Sequence, residues 1–172
     1  MTKKTPAFLS AVAILGASAV AVPAMSAPSS SRSATGVSAA VRALHTARDT
    51  GRPYDLERDR YRGRRVWEVD VAPRSGAAKE LKISANGKRV VHRKTVRDSA
   101  DARRVRKAKV SFAAALRTAA KRASGRLTEA ELDRERGRLV WSATFERGNI
   151  ETDVDVDAKT GKVVRVHSEH DD

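Results

Sequence analysis

Arg62-Gly63-Arg64-Arg65-Val66-Trp67 and, 74 residues later, Arg136-Gly137-Arg138-Leu139-Val140-Trp141 share a turn followed by a strand that carries a tryptophan. The match extends in both directions. Upstream, Val37-Ser38-Ala39-Ala40 returns as Val110-Ser111-Phe112-Ala113. Downstream, Leu81, Ile83 and Ala85 return as Val154, Val156 and Ala158, and Gly87-Lys88 returns as Gly161-Lys162. Matching order at an almost constant offset is the mark of an internal repeat.

Each repeat opens on a helical pattern. Ala40, Val41, Leu44 and Ala47 recur at helical spacing, as do Phe112, Ala115, Leu116 and Ala119. Ser38 and Ser111 stand where N-caps belong, each behind a valine able to staple the first turn. Gly51 and Gly125 are placed to stop the helices. Strands follow: Trp67, Val69 and Val71 alternate with Glu68 and Asp70, and Leu139, Trp141, Ala143 and Phe145 form the matching face. Asn86-Gly87 predicts a type I′ hairpin, and Lys159-Thr160-Gly161 a slightly longer turn with a left-handed glycine. The expected fold is α+β: two repeated units, each one helix packed on a three- or four-stranded antiparallel meander. The expected structural core is Trp67, Val69, Val71, Trp141, Phe145, Val154 and Val156. A unit of about 55–60 residues is marginal alone, so the two are expected to pack side by side as one body.

The expected organisation along the chain is a signal peptide at 1–27, a flexible Ser-rich spacer at 28–36, unit 1 at 37–97, a basic and helix-prone connector at 98–109, and unit 2 at 110–172. Lys3 and Lys4 precede the apolar run Ala7–Val22, which is short for a bilayer span and is followed by small residues suited to a signal peptidase. Export to the cell envelope or beyond follows, with no transmembrane helix once the signal is removed. None of the 172 residues is cysteine, which excludes disulfides, thiolate metal sites and cysteine nucleophiles. His45, His92, His167 and His170 form no metal-binding or catalytic spacing, and there is no phosphate loop or nucleophile elbow. The chain is therefore read as a non-enzyme without a cofactor, catalytic residue or metal site.

The strings Val110-Ser-Phe-Ala-Ala-Ala-Leu116, Leu139-Val-Trp-Ser-Ala-Thr-Phe145 and Asp155-Val-Asp-Ala-Lys-Thr-Gly-Lys-Val-Val164 resemble those of PepSY domains. The second unit carries the better match. In the first, Ser84-Ala85-Asn86-Gly87 replaces the acidic Asp-Ala-Lys-Thr-Gly string. The resemblance implies a small extracytoplasmic α+β module of a kind also found in propeptides of thermolysin-type metallopeptidases, without a catalytic residue, holding or restraining a protein partner such as a secreted peptidase.

Charge supplies the rival reading. The chain has 35 Lys+Arg against 21 Asp+Glu, a formal net charge of +14. Most of the excess lies before Val110. Arg58, Arg60, Arg62 and Arg64 alternate and would line one strand face, a stripe suited to an anionic envelope polymer or lipid headgroups. Nucleic acid is disfavoured by export and by the scarcity of exposed aromatics. In unit 2, Glu151, Asp153, Asp155 and Asp157 alternate, and pairing with Arg134, Arg136 and Arg138 is expected over a calcium site.

Overall fold

The computed structural model describes residues 34–97 and 99–170, so the expected signal peptide and most of the spacer lie outside the described residues. The first half of the described chain runs α1 (Ala34–Ala47), β1 (Arg52–Tyr61), β2 (Arg64–Ala72), β3 (Lys79–Ser84) and β4 (Val90–Thr95). A connector follows with α2 (Ala100–Arg104) and a 3-10 turn (Val105–Lys107). The second half runs α3 (Phe112–Ala119), β5 (Arg126–Glu135), β6 (Arg138–Arg147), β7 (Ile150–Asp157) and β8 (Val163–His170).

Strand order is β4-β3-β2-β1-β5-β6-β7-β8, one antiparallel sheet of eight. Each half contributes four neighbouring strands, and the halves meet where β1 pairs β5. Two of the tight hairpins, β1–β2 and β5–β6, turn on Arg62-Gly63 and Arg136-Gly137. All four residues are left-handed, with φ of 50° and 77°, then 47° and 80°. This is the type I′ geometry whose twist matches that of the flanking strands. Register breaks also fall at matching places, between Pro53 and Asp55 and between Leu127 and Glu129. A second pair of breaks lies at Lys82/Ile83 and Asp155/Val156.

α1 and α3 pack together on one face of the sheet. Leu44, Leu116, Leu56, Leu127, Leu81 and Ile83 are sealed between helices and strands, at 1% exposure or less. Trp67, Val69, Val71, Trp141, Phe145, Val154 and Val156 share this core at 3% or less. Each tryptophan also satisfies its indole N–H: Trp67 donates to the Ala85 carbonyl at 3.2 Å, Trp141 to that of Val110 at 3.1 Å. Full burial of side chains of this size contributes roughly 1.5–3 kcal/mol each.

Several local expectations are corrected. α1 begins at Ala34, so Ser38 lies a turn inside the helix, and residues 34–36 are helix and not spacer. Ser111 does cap α3, accepting from Ala114 N at 3.3 Å. Gly51 does not stop α1 by a left-handed turn. It lets the chain pass the β2 backbone, since a Cβ there would stand 2.5 Å from Ala72 O. The β3–β4 connection is no two-residue type I′ turn: only Gly87 is left-handed (φ 78°), and Ser84 N donates to Arg89 O at 2.8 Å. Gly161 is left-handed at 74°, as its turn predicts. In the connector, Ser99 caps α2 by accepting from Ala102 N at 3.0 Å. The chain then extends at Ala108 (φ −68°, ψ 129°) before α3 starts, so the two helices are separate.

Candidate functional site

Alternation puts Glu68, Asp70, Glu80 and Lys82 on the sheet face turned away from the helices, because Trp67, Val69, Leu81 and Ile83 face the core. The same rule places Asp55, Glu57 and Asp59 of β1 and Glu129 and Glu131 of β5 on that open face. A chain of net charge +14 thus presents a sheet surface rich in carboxylates. At the seam between the halves, Asp55 stands opposite Glu131 and Glu57 opposite Glu129, with only Leu56–Ala130 between them. Oxygens of Asp55, Glu129 and Glu131 all lie within 4.8 Å of one another.

Two carboxylate groups in this surface are handled differently. Beside β3, Lys82 reaches Asp59 at 2.5 Å and also Glu68, and lies 3.4 Å from Glu80, whose other oxygen meets Lys94 at 2.5 Å. Burial would raise the Glu80 carboxyl, but Lys94 and Lys82 bring it below its usual range. At the seam no ammonium or guanidinium pairs with Asp55 among the described residues. Burial, then Asp70 and Glu131, push the Asp55 carboxyl up to about 8. Burial, then Glu80 and Glu68, raise Asp70 to about 6. Glu57 and Glu131 are raised also, first by burial and then by Glu129. The seam is therefore a place where protons are held, by like charges brought together in a half-dry setting.

The arginines anticipated as one stripe are spread over three settings. Arg58 and Arg60 project from β1 toward the helix side, in register with Trp67 and Arg65. Arg62 occupies the hairpin turn with its guanidinium over Tyr61, 5.3 Å from the ring centroid, and Arg64 opens β2. On β7 the acidic run is neutralised mainly from β8. Arg165 Nε meets Asp155 at 2.7 Å, and Asp153 accepts from the Thr144 hydroxyl at 2.8 Å. Of the three arginines expected there, only Arg138 comes near, 3.7 Å from Asp157. Asp157 instead caps its turn, accepting from Lys159 N, Thr160 N and the Thr160 hydroxyl at 2.8–3.0 Å.

The outermost strands, β4 and β8, each leave one edge without a strand partner. Such an edge offers a row of main-chain donors and acceptors. β4 carries His92, Arg93 and Lys94 in sequence, charge of the kind that blunts an edge. β8 presents Val164 and Val166, 40% and 44% exposed, between Val163 and His167. Nothing in the sequence pattern alone separated edge strands from inner ones.

Residues 109–167 match the family model described as the PepSY peptidase propeptide and YPEB domain, a segment covering α3 and β5 to β8 up to His167. No curated protein sequence matches the chain. Two solved structures align with it. One is a candidate lipoprotein from Clostridium difficile 630, at 23% identity over 76% of this chain and 90% of that chain, with a TM-score of 0.47. The other is the YpmB protein from Bacillus subtilis, at 19% identity over 76% and 95%, with a TM-score of 0.35.

Proposed function

We propose that the chain is an extracytoplasmic, non-enzymatic module built from two copies of a PepSY-like unit, and that it restrains a protein partner, a secreted peptidase in the first instance. The observation that carries this reading is the family match over residues 109–167, which falls on the half that ends in the open β8 edge. Matching strand order, hairpin turns and register breaks in the two halves support the duplication.

The mechanism follows from the edge. An extended segment of the partner lies antiparallel to β8, and main-chain hydrogen bonds supply affinity while Val164 and Val166 supply apolar contact. A peptidase held in this way has a strand across its own substrate groove, and access is blocked by shape without any chemistry on the module. The test is capture of peptidases from culture medium and envelope by residues 28–172, followed by activity assays of those retained. Inhibition that weakens at least tenfold in a Val164→Lys/Val166→Lys double variant supports the reading. Peptidases captured and left fully active, or inhibition unchanged by the double variant, would overturn it.

A further inference from the structure

Trp67 and Trp141 hold the same place in the two halves but are covered differently. Leu132 stands opposite Trp141 across β5–β6, and the Phe112 ring stacks on the indole at 4.3 Å. That tryptophan has hydrocarbon against its ring. Opposite Trp67 stands Arg58, its guanidinium 4.8 Å from the ring centroid. The residue following Ser38 is Ala39, where Phe112 follows Ser111, so α1 offers no ring to fill the space.

The space is a cavity of about 840 Å³, lined in part by Ala39, Arg58, Arg65, Trp67 and Arg126. It opens where the seam ends: past the Glu57–Glu129 rung no ladder pair joins β1 to β5. Arg126 is held by Glu146 at 2.8 Å. Arg65 has no ion-pair partner among the described residues, and the Nε–H of Arg58 is buried with no acceptor. Burial, then Arg126 and Arg65, lower the Arg58 pKa from its usual value, yet a guanidinium stays charged. A buried charged donor left unpaired is costly. Of the carboxylates at the rim, Asp59 is taken by Lys82 and Glu146 by Arg126. Glu57, Glu129 and Glu151 also line the space but alternate to the other face of the sheet, so the charges that act on Arg58 are Arg126, Arg65 and the Glu146 that Arg126 already holds.

We infer that this cavity binds a phosphate group, gripped by the Trp67-stacked guanidinium of Arg58 with Arg65 and Arg126 completing the cationic wall. A single carboxylate neutralises one guanidinium. A phosphate brings more negative charge and several acceptor oxygens, which suits three guanidinium groups around one space. A guanidinium held over an indole by cation–π attraction keeps its fork of donors available to an anion. The phosphate is either free or part of a lipid headgroup, and both present the same oxygens.

The experiment is a titration of residues 28–172 in two arms. One arm uses sodium phosphate against sodium chloride at equal ionic strength. The other uses phosphatidylglycerol vesicles against phosphatidylcholine vesicles. Tryptophan emission is the readout, with Trp141→Phe isolating Trp67 and calorimetry of the unmutated chain reporting binding independently. A saturable response to phosphate assigns a free phosphate, and a response to phosphatidylglycerol vesicles alone assigns a headgroup. In either case Arg58→Leu, which installs the residue that faces Trp141 in the other half, is expected to keep the fold and weaken binding at least tenfold. Arg62→Gln, outside the cavity, is expected to change binding less than twofold. If Arg58→Leu does not fold, the Arg65→Gln/Arg126→Gln pair is held to the same tenfold loss. No saturable response in either arm overturns the site. So does binding indifferent to the cavity arginines, or equally sensitive to Arg62, which would reduce it to diffuse charge.

Discussion

Ala39 and Phe112 follow corresponding serines, and that one difference in side-chain size separates a tryptophan with a ring stacked on it from one without. Phe112 is 4% exposed and parallel to Trp141 within 12°. Phe112→Ala should therefore cost about 3–5 kcal/mol, the range for deleting a buried aromatic ring, read as a lowered urea midpoint with an unchanged slope. Two left-handed glycines make a sharper comparison. A Cβ on Gly87 would meet Ala39 O at 2.3 Å, whereas one on Gly76 would meet nothing within 4 Å. Gly76→Ala should cost only the left-handed penalty of about 1–2 kcal/mol. Gly87→Ala should cost clearly more, because the β3–β4 loop must move off α1. Equal losses in the two variants would mean that the loop does not press on the helix. Asn86-Gly87 marked a turn correctly in the sequence, but the contact with α1 that restricts residue 87 was not legible there.

Three rungs join β1 to β5, and two of them set carboxylates opposite each other, an arrangement that weakens strand pairing. The sign of the pH effect follows from the Asp55 carboxyl. Its pKa in the folded chain, about 8, lies above the ordinary 3.8. Between those values the folded chain holds a proton that the unfolded chain has released, so stability falls as pH rises across this window and levels off above it. Asp70, Glu57 and Glu131 act in the same direction. Asp59 and Asp157 are held low, the first by Lys82 and the second by its turn N–H groups against a burial effect that raises it. Their contribution is lost only in more acidic solution, as pH falls through the carboxylate range. The melting temperature should therefore be higher at pH 5.5 than at pH 8.5. Asp55→Asn should raise it at pH 8.5 and flatten the dependence. A slope untouched by that substitution would show that the proton is held elsewhere. The alternating acids of β1 and β5 were visible in the sequence. Their confrontation was not, because pairing across the two halves is decided by which strands become neighbours.

The eight strands form one sheet, and α1 packs against α3 across the seam. Unfolding should accordingly be a single cooperative event, with calorimetric and van't Hoff enthalpies in agreement. Two resolved transitions would mean that each half is stable without the other. The α+β class, the helix-then-meander order, the buried tryptophans and the left-handed Gly161 were all readable from local patterning. Periodicity, caps and turn residues act over a few neighbours and carry their meaning with them. The start of α1 at Ala34 escaped that reading, which took Ser38 for the cap. The division of Arg58, Arg60, Arg62 and Arg64 among strand, turn and next strand follows from the place where the chain reverses. What the amino-acid order determined by itself was two similar αβ units with apolar strand faces, because hydrophobic period and turn chemistry are local properties. Only the tertiary structure decided that β1 meets β5, that β4 and β8 are left as edges, and that Arg58 rests on Trp67 beside an unfilled space. Those outcomes depend on long-range contacts, in which the burial of one surface sets the dielectric, the charge neighbours and the free volume of another.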